Sequence, residues 1–458
     1  MSDTNHNYTD TWNAERFAAK YKGQLAYVPA RGHWIEFDGV VWKADELRNI
    51  MRIAMEFGKD LLVEASQQLL KAHQEPNQER RKVLVAAANA LSNHALKTQS
   101  KRGLDAMVSL AQPLLSISQS SIDVRDDLFA TQDCVYGLIK HQARPGQPDD
   151  LLMLQARSSY SPNAAAPRWE RFLEEVQPDA AVRFWLQKFC GYCLTASVKE
   201  QVFLILQGGG ENGKSVFIEV IKKVLGSYTK TVQFDTFVDR EGNEGVRNDI
   251  AALAGVRLVV ASEGQDGTRL NEGIIKQITG EDEITARFLH REFFTFKPRF
   301  KVVLVTNHKP LITGTDWGIW RRVILVPWSV TIPSEKRDKN LIDKLISSEL
   351  DGILQWCIHG LQMYQEDGLK LPKIIEMACA DYRSDSDLIG HWIADKCIVH
   401  EDVGATAEVL YESYSGWARG FGHKPISQKT LGDKLKERGF QASRSKTARG
   451  WSGIGVKS

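Results

Sequence analysis

Along the chain, the spacing of apolar and polar positions changes character near residue 200. Before that point, two short runs, Trp34-Ile35-Glu36-Phe37 and Val40-Val41-Trp42, flank Asp38-Gly39. Strand-like runs around Asp-Gly predict a hairpin, because a tight type I′ turn needs positive φ at both central residues. Asp45 stands where an N-cap would, ahead of a long helical run to about His73. A second helical stretch, rich in Ala and Leu, runs from Asn77 to about Leu96. Residues 158–167, with three alanines between two prolines, read as a linker. Residues 168–195 return to helical spacing and are rich in aromatics. From Gln201 onward, short unbroken apolar runs take over at 202–206, 257–261, 301–305 and 323–326, separated by helical segments or loops. Such runs suit strands buried on both faces of a parallel sheet covered by helices, which predicts an α/β core over about 198–335. Helices are expected to about Arg383, then a small terminal unit.

Composition adds little to that picture, and charge distribution adds more. With 458 residues, 43% hydrophobic and 25% charged, the chain reads as an ordinary globular protein of several domains. The net charge is +2, yet from Arg419 onward ten Lys or Arg face only Asp433 and Glu437. A basic end on a balanced body suits a polyanion partner, or else a solvated surface. No stretch is long and apolar enough to span a bilayer, and the first ten residues are polar, so no membrane and no signal peptide are expected. Six cysteines form no disulfide framework, which makes a reducing, cytoplasmic setting the default. Cys190 and Cys193 have CxxC spacing without a second pair or histidines, and read as two packed helix residues.

The chemistry concentrates in Gly208, Gly209, Gly210, Glu211, Asn212, Gly213, Lys214 and Ser215, which match G-x-x-x-x-G-K-[ST]. The strand-like run 202–206 precedes it. Phe217, Val220, Ile221, Val224 and Leu225 follow at helical spacing, with Gly226 as a stop. Glycines let the backbone wrap phosphates while the helix N-terminus offers free N–H groups. ATP is the expected ligand, held along the loop as far as Val216. Lys214 would bridge the β and γ phosphates, and Ser215 would ligate Mg²⁺. The run at 257–261 leads into Ser262-Glu263, an acid at a strand end suited to polarising water and to the metal side. Ser262 stands where many P-loop ATPases carry Asp. The third run ends at Thr306-Asn307, where Asn307 would orient water or sense the γ phosphate, or else cap a turn. Arg321 and Arg322 precede the last run. They are surface charges, or one of them is an arginine finger for a neighbouring subunit's ATP.

The terminal unit has a Ser427 N-cap, a Leu431/Leu435 face opposite lysines, and a basic stretch after Gly439. A helix with a two-stranded basic wing predicts a winged helix, with Lys429, Lys434, Arg444, Lys446 and Arg449 available to phosphates.

Taken together, the motifs resemble the superfamily 3 helicases of the AAA+ class, in the phage/plasmid primase-helicase branch that includes the poxvirus type. The similarity covers about residues 8–400. Thr11-Trp12-Asn13-Ala14-Glu15-Arg16, the segment 32–42 and Trp169-Glu170-Arg171-Phe172 look like the family's helicase-associated region. Within the core, residues 248–255, Lys276 to Arg287, Asn307-His308-Lys309-Pro310 and Trp320-Arg321-Arg322 fit as well. The resemblance implies a homo-oligomer, a hexameric ring with ATP between subunits, translocating on single-stranded or forked DNA, typically 3′ to 5′. It also implies a hairpin between Arg287 and Pro298 in the channel, with Arg287, His290 and Arg291 at the DNA. The organisation then reads as a helicase-associated domain at 1–165, a helical lead-in at 166–197, an AAA+ motor at 198–383 and a winged-helix-like unit at 384–458. No acidic metal pair in a strand context precedes the core, so priming would come from a separate primase or polymerase. A phage or mobile element in a bacterial host is the expected source. An origin-binding initiator or loader is the competing reading; a small-molecule kinase fits the basic end less well.

Overall fold

The computed structural model describes residues 8–238, 248–262, 268–287, 293–312, 317–423, 425–444 and 449–457. At its centre lies a five-stranded sheet in which every neighbouring pair is parallel. Val323–Pro327 forms one edge, followed by Phe203–Gln207, Lys301–Thr306, Leu258–Ser262 and Thr229–Gln233 at the other. Period-two alternation sends Leu204, Leu206, Val303, Val305, Ile324 and Val326 to one face. Phe203, Ile205, Val302, Leu304, Val323 and Leu325 go to the other. Both faces are covered, which is why the sequence runs are continuously apolar. Thr229–Gln233 was not expected as a strand: it lies at the sheet edge and is largely exposed, so its sequence is polar.

Helices Pro167–Val176 and Ala180–Cys193 pack on the first face together with Lys214–Leu225 and Leu350–Asp367. The helices Ala180–Cys193 and Leu350–Asp367 cross very closely. A Cβ on Gly191 would lie 2.0 Å from the Leu361 nitrogen, and one on Gly360 would lie 2.0 Å from the Gln187 oxygen. Cys190 and Cys193 are buried free thiols in this crossing, as the helical pattern predicted. Two buried basic side chains tie the lead-in to the base of the sheet. Arg257 donates to the carbonyls of Leu194 and Leu128, and Lys301 Nζ donates to Thr195 O at 2.5 Å.

The predicted hairpin forms, with Phe37 opposite Trp42, but its loop is longer than the type I′ turn expected. Asp38 Oδ1 accepts the N–H groups of Val40 and Val41, so a side-chain bridge sets the turn, with Gly39 alone at positive φ. Asp45 caps its helix from a distance, accepting from Asn49 and Ile50 N–H, while the helix itself spans Asn49–His73. Helices Gln78–Thr98 and Lys101–Ala111 complete this region. Residues 158–167 are not a free linker. Ser158 is buried with its Oγ donating to Val224 O, and Ser159 N–H donates to the Asp351 carboxylate at 2.7 Å. The small sheet of Leu128–Ala130, Val135–Gly137 and Gln142–Arg144 places Phe129 and Tyr136 in the same core as the first sheet face.

The last unit runs helix Leu388–Lys396, strand Cys397–Thr406, helices Ala407–Gly420 and Gln428–Glu437, then strands Gln441–Arg444 and Arg449–Val456. That order, with Arg449–Val456 central in its sheet, is a winged-helix arrangement. Its first strand was not anticipated. Among the described residues no helix is long and apolar enough to cross a membrane.

Candidate functional site

The loop at 208–213 joins the C-terminal end of Phe203–Gln207 to helix Lys214–Leu225. Its glycines are needed for two separate reasons. Gly210 and Gly213 sit at φ of 96° and 84°, where a side chain is strained. A Cβ on Gly208 would lie 2.2 Å from Trp328 O, and one on Gly213 2.6 Å from a Val176 methyl. By contrast, a Cβ on Gly209 or Gly210 would meet nothing within 4 Å, so the loop opens on that side. The cradle and its open face therefore fit a polyphosphate. Val216 packs against the core behind the loop, and Ser215 is exposed in the first helical turn, where its hydroxyl could hold a magnesium ion.

Lys214 is buried, at 3% exposure, and its ammonium is held by carbonyl oxygens. Nζ donates to Gly208 O at 2.6 Å, to Asn212 Oδ1 at 3.1 Å and to Asn307 Oδ1 at 3.3 Å. Desolvation lowers its pKa from the ordinary lysine value. Asn307 follows the strand Lys301–Thr306 and is fixed from the other side, its carbonyl accepting from Gln207 Nε2 at 3.1 Å. Two polar strand ends thus converge on the loop. Ser262 closes a third, paired with Val305. Glu263, the acid expected next, lies outside the described residues, as do His290, Arg291 and Lys446. Among the described residues no group of three His, Cys, Asp or Glu could hold a metal by itself.

Arg321 and Arg322 stand at the opposite end of the sheet from the loop. Val323 pairs with Phe203 and Pro327 with Gln207, so about 13 Å of strand separates them from their own cradle. Arg321 is exposed; Arg322 is half-buried and donates to Gly318 O at 2.5 Å.

Strands Ile284–Arg287 and Phe293–Phe296 pair antiparallel, the first lying just before the span expected for the hairpin. Arg287 pairs with Phe293 and its guanidinium lies 4.7 Å from the centre of that ring, while Phe293 is exposed. At the wing, Arg444 and Arg449 are directly opposite one another and both exposed. Lys429 is exposed on the helix Gln428–Glu437. Lys434 is half-buried, bonded to Glu437 at 2.9 Å, and lines a cleft shared with Arg269, Asn271 and Asp387. It therefore lines this cleft rather than standing free beside the wing. Two contributors escaped the sequence reading, Gln207 and Arg337. The latter pairs with Glu211 and follows a polar Pro-Ser-Glu-Lys stretch that reads as plain loop.

Residues 14–178 match a family model described as "D5 N terminal like", and residues 206–322 match one described as "Family of unknown function (DUF5906)". The chain is 27% identical over 320 residues to "Putative helicase L207/L206" of Acanthamoeba polyphaga mimivirus, covering 65% of this chain and 33% of that protein. It is 26% identical over 304 residues to "Putative helicase 022R" of Frog virus 3, covering 62% of this chain and 31% of that one. A shorter match, 26% over 153 residues, is to "Putative primase C962R" of African swine fever virus, covering 33% of this chain and 16% of that protein. The chain thus spans about a third or less of these relatives. Among solved structures, the apo NrS-1 C-terminal region aligns over 97% of this chain and 99% of that one, at 10% identity and a TM-score of 0.45.

Proposed function

We propose that the chain, which is similar to the "D5 N terminal like" family over residues 14–178 and to putative helicases and a putative primase of large DNA viruses, is an ATP-driven DNA helicase serving the replication of a virus or other mobile element. The observation that carries this reading is the convergence of Lys214 and Asn307 on one glycine-rich cradle. ATP with magnesium would supply the phosphoryl group whose transfer to water drives movement. Loop N–H groups and Lys214 would bind the phosphates, and Ser215 would hold the metal. Asn307 lets go of Lys214 when phosphate arrives and turns its amide to the γ phosphate or the attacking water. Glu263 polarises that water.

Arg321 and Arg322 lie at the far end of the sheet from their own cradle, and Arg337 beside the loop is engaged by Glu211, so the charge that develops on the γ phosphate is met by Arg321 of a neighbour. Arg322, already bonded to Gly318 O, stays structural. A finger in trans requires a ring or filament; a hexamer with DNA in its channel, moving 3′ to 5′, is what the resemblance to superfamily 3 helicases implies. The hairpin bearing Arg287 and the wing bearing Arg444 and Arg449 meet phosphates, and a separate primase or polymerase starts chains. An origin-binding ATP switch is the second reading, favoured by the winged helix.

A mixing experiment separates the two readings. Forked-DNA unwinding is measured as Lys214→Ala chain is added to wild type at constant total protein. A ring motor loses activity more steeply than the wild-type fraction. Measurable ATPase with no unwinding of any fork would reject the motor in favour of the switch.

A further inference from the structure

Residues 328–337 run beside the phosphate loop and are bonded to it at several places. Trp328 N–H donates to Gln207 O at 2.7 Å, and Trp328 O accepts from the Asn212 amide at 3.1 Å. Ile332 N–H donates to Glu211 O at 2.9 Å. Arg337 closes the strap: its Nε donates to Ile332 O at 2.9 Å, and its guanidinium makes a two-pronged pair with the Glu211 carboxylate. The next residue, Asp338, is anchored by Lys344 at 2.7 Å and by Arg168 at 3.7 Å.

Glu211 is the point that needs holding. It occupies the left-handed region at φ 52°, next to Gly210 at 96°, and a residue with a Cβ does not favour that conformation. Yet the left-handed turn at Glu211 sets the path by which the chain enters Asn212, Gly213 and the helix that begins at Lys214. Bonds from the strap reach both its backbone and its side chain. We propose that Arg337 is a positioning residue for nucleotide binding, acting through Glu211 to keep the loop in its phosphate-accepting shape. This rests on the nucleotide reading given above. A planar fork suits the role, since it fixes direction as well as distance. The side chains of Arg337 and Glu211 are 35% and 57% exposed, so solvent screens the pair and the effect is moderate.

The test uses the full chain, a fluorescent ATP analogue for affinity and phosphate release for turnover. Arg337→Ala is expected to raise both Kd and KM by about two- to fivefold, with kcat falling by less than about twofold. Arg337→Lys recovers only part of the affinity. The exchange Glu211→Arg with Arg337→Glu recovers most of it, and the difference between variants shrinks at about 0.5 M salt. Unchanged Kd in Arg337→Ala would overturn the proposal, and so would a raised Kd that neither Lys nor the charge exchange improves. Failure of the nucleotide reading looks different: wild type would bind no nucleotide, or Lys214→Ala would bind it as tightly as wild type.

Discussion

Lys214 and Asn307 touch across two neighbouring strands, Nζ donating to Oδ1 at 3.3 Å, although 93 positions separate them in the chain. The contact is made by an ammonium with little access to water, whose other acceptors are a backbone carbonyl and the Asn212 side chain. Lys214 is thus parked on neutral oxygens, which the full charge of a phosphate would displace.

Different losses should follow from the two sides of this contact. Lys214→Ala removes the cation and abolishes nucleotide binding. Asn307→Ala leaves the cradle and the lysine, so affinity is largely kept while turnover drops by about 10²-fold, the usual cost of one group that acts on the transition state. Equilibrium binding and single-turnover hydrolysis distinguish these outcomes. Equal loss of both in Asn307→Ala would make Asn307 a structural prop for the loop.

Lys301 makes stability depend on pH. Burial against the base of the sheet pushes its ammonium down to about 7, with the Tyr192 ring, Cys193, Arg257 and Asp126 around it. The unfolded value is about 10.4. Between the two, the unfolded chain binds the extra proton, so stability rises with pH by at most about 1.4 kcal/mol per unit and falls again as pH drops toward 7. Below that value this contribution is flat. Lys301→Met should remove this slope, and denaturant titrations of both proteins at pH 7, 8 and 9 measure the difference. Parallel profiles would mean that Lys301 keeps its proton in the fold.

The cradle was legible because its conformations dictate residue types locally: Gly213 must be glycine both for its φ and for the Val176 methyl behind it. Four of the central strands were legible because burial on both faces leaves an unbroken apolar run. The same logic concealed Thr229–Gln233, whose edge position permits polar residues. Arg337 and Gln207 could not be read, because nothing local marks a side chain whose partner comes from a distant segment. Lys434 shows the same limit from the other direction. Helical spacing put it opposite the leucines, but Lys434 lines a cleft that Arg269 and Asp387 also line, so a distant segment decides its surroundings.

Arg321 and Arg322 should behave differently when mixed with a chain defective in its own cradle. Arg321→Ala is expected to lose turnover by about 10³-fold, as removal of a charge-stabilising finger does. In a ring, a Lys214→Ala chain retains a good Arg321 and an Arg321→Ala chain retains a good cradle, so mixing the two inactive proteins restores some ATPase. Arg322→Ala should instead lower the melting temperature, since Gly318 O loses its donor. No restored activity in any ratio of the first two variants would remove the shared site.

The wing supplies a prediction that depends on geometry more than on charge. Arg444 and Arg449 face each other at the base of the wing and are exposed, whereas Lys434 is half-buried and bonded to Glu437. All three carry one positive charge, so a simple basic-surface account treats them alike. Counter-ion release counts only the charges that reach phosphate, with a slope of log affinity on log salt of about −0.7 per contact for single strands and −0.9 for duplex. Arg444→Ala with Arg449→Ala should therefore flatten that slope by about 1.4 to 1.8 and weaken binding at low salt. Lys434→Ala should leave the slope unchanged. Fluorescence anisotropy on labelled DNA from about 50 to 200 mM salt measures all three. Equal flattening by Lys434→Ala would show that the helix Gln428–Glu437 turns its inner face to DNA, and that the cleft beside Arg269 opens to admit the strand.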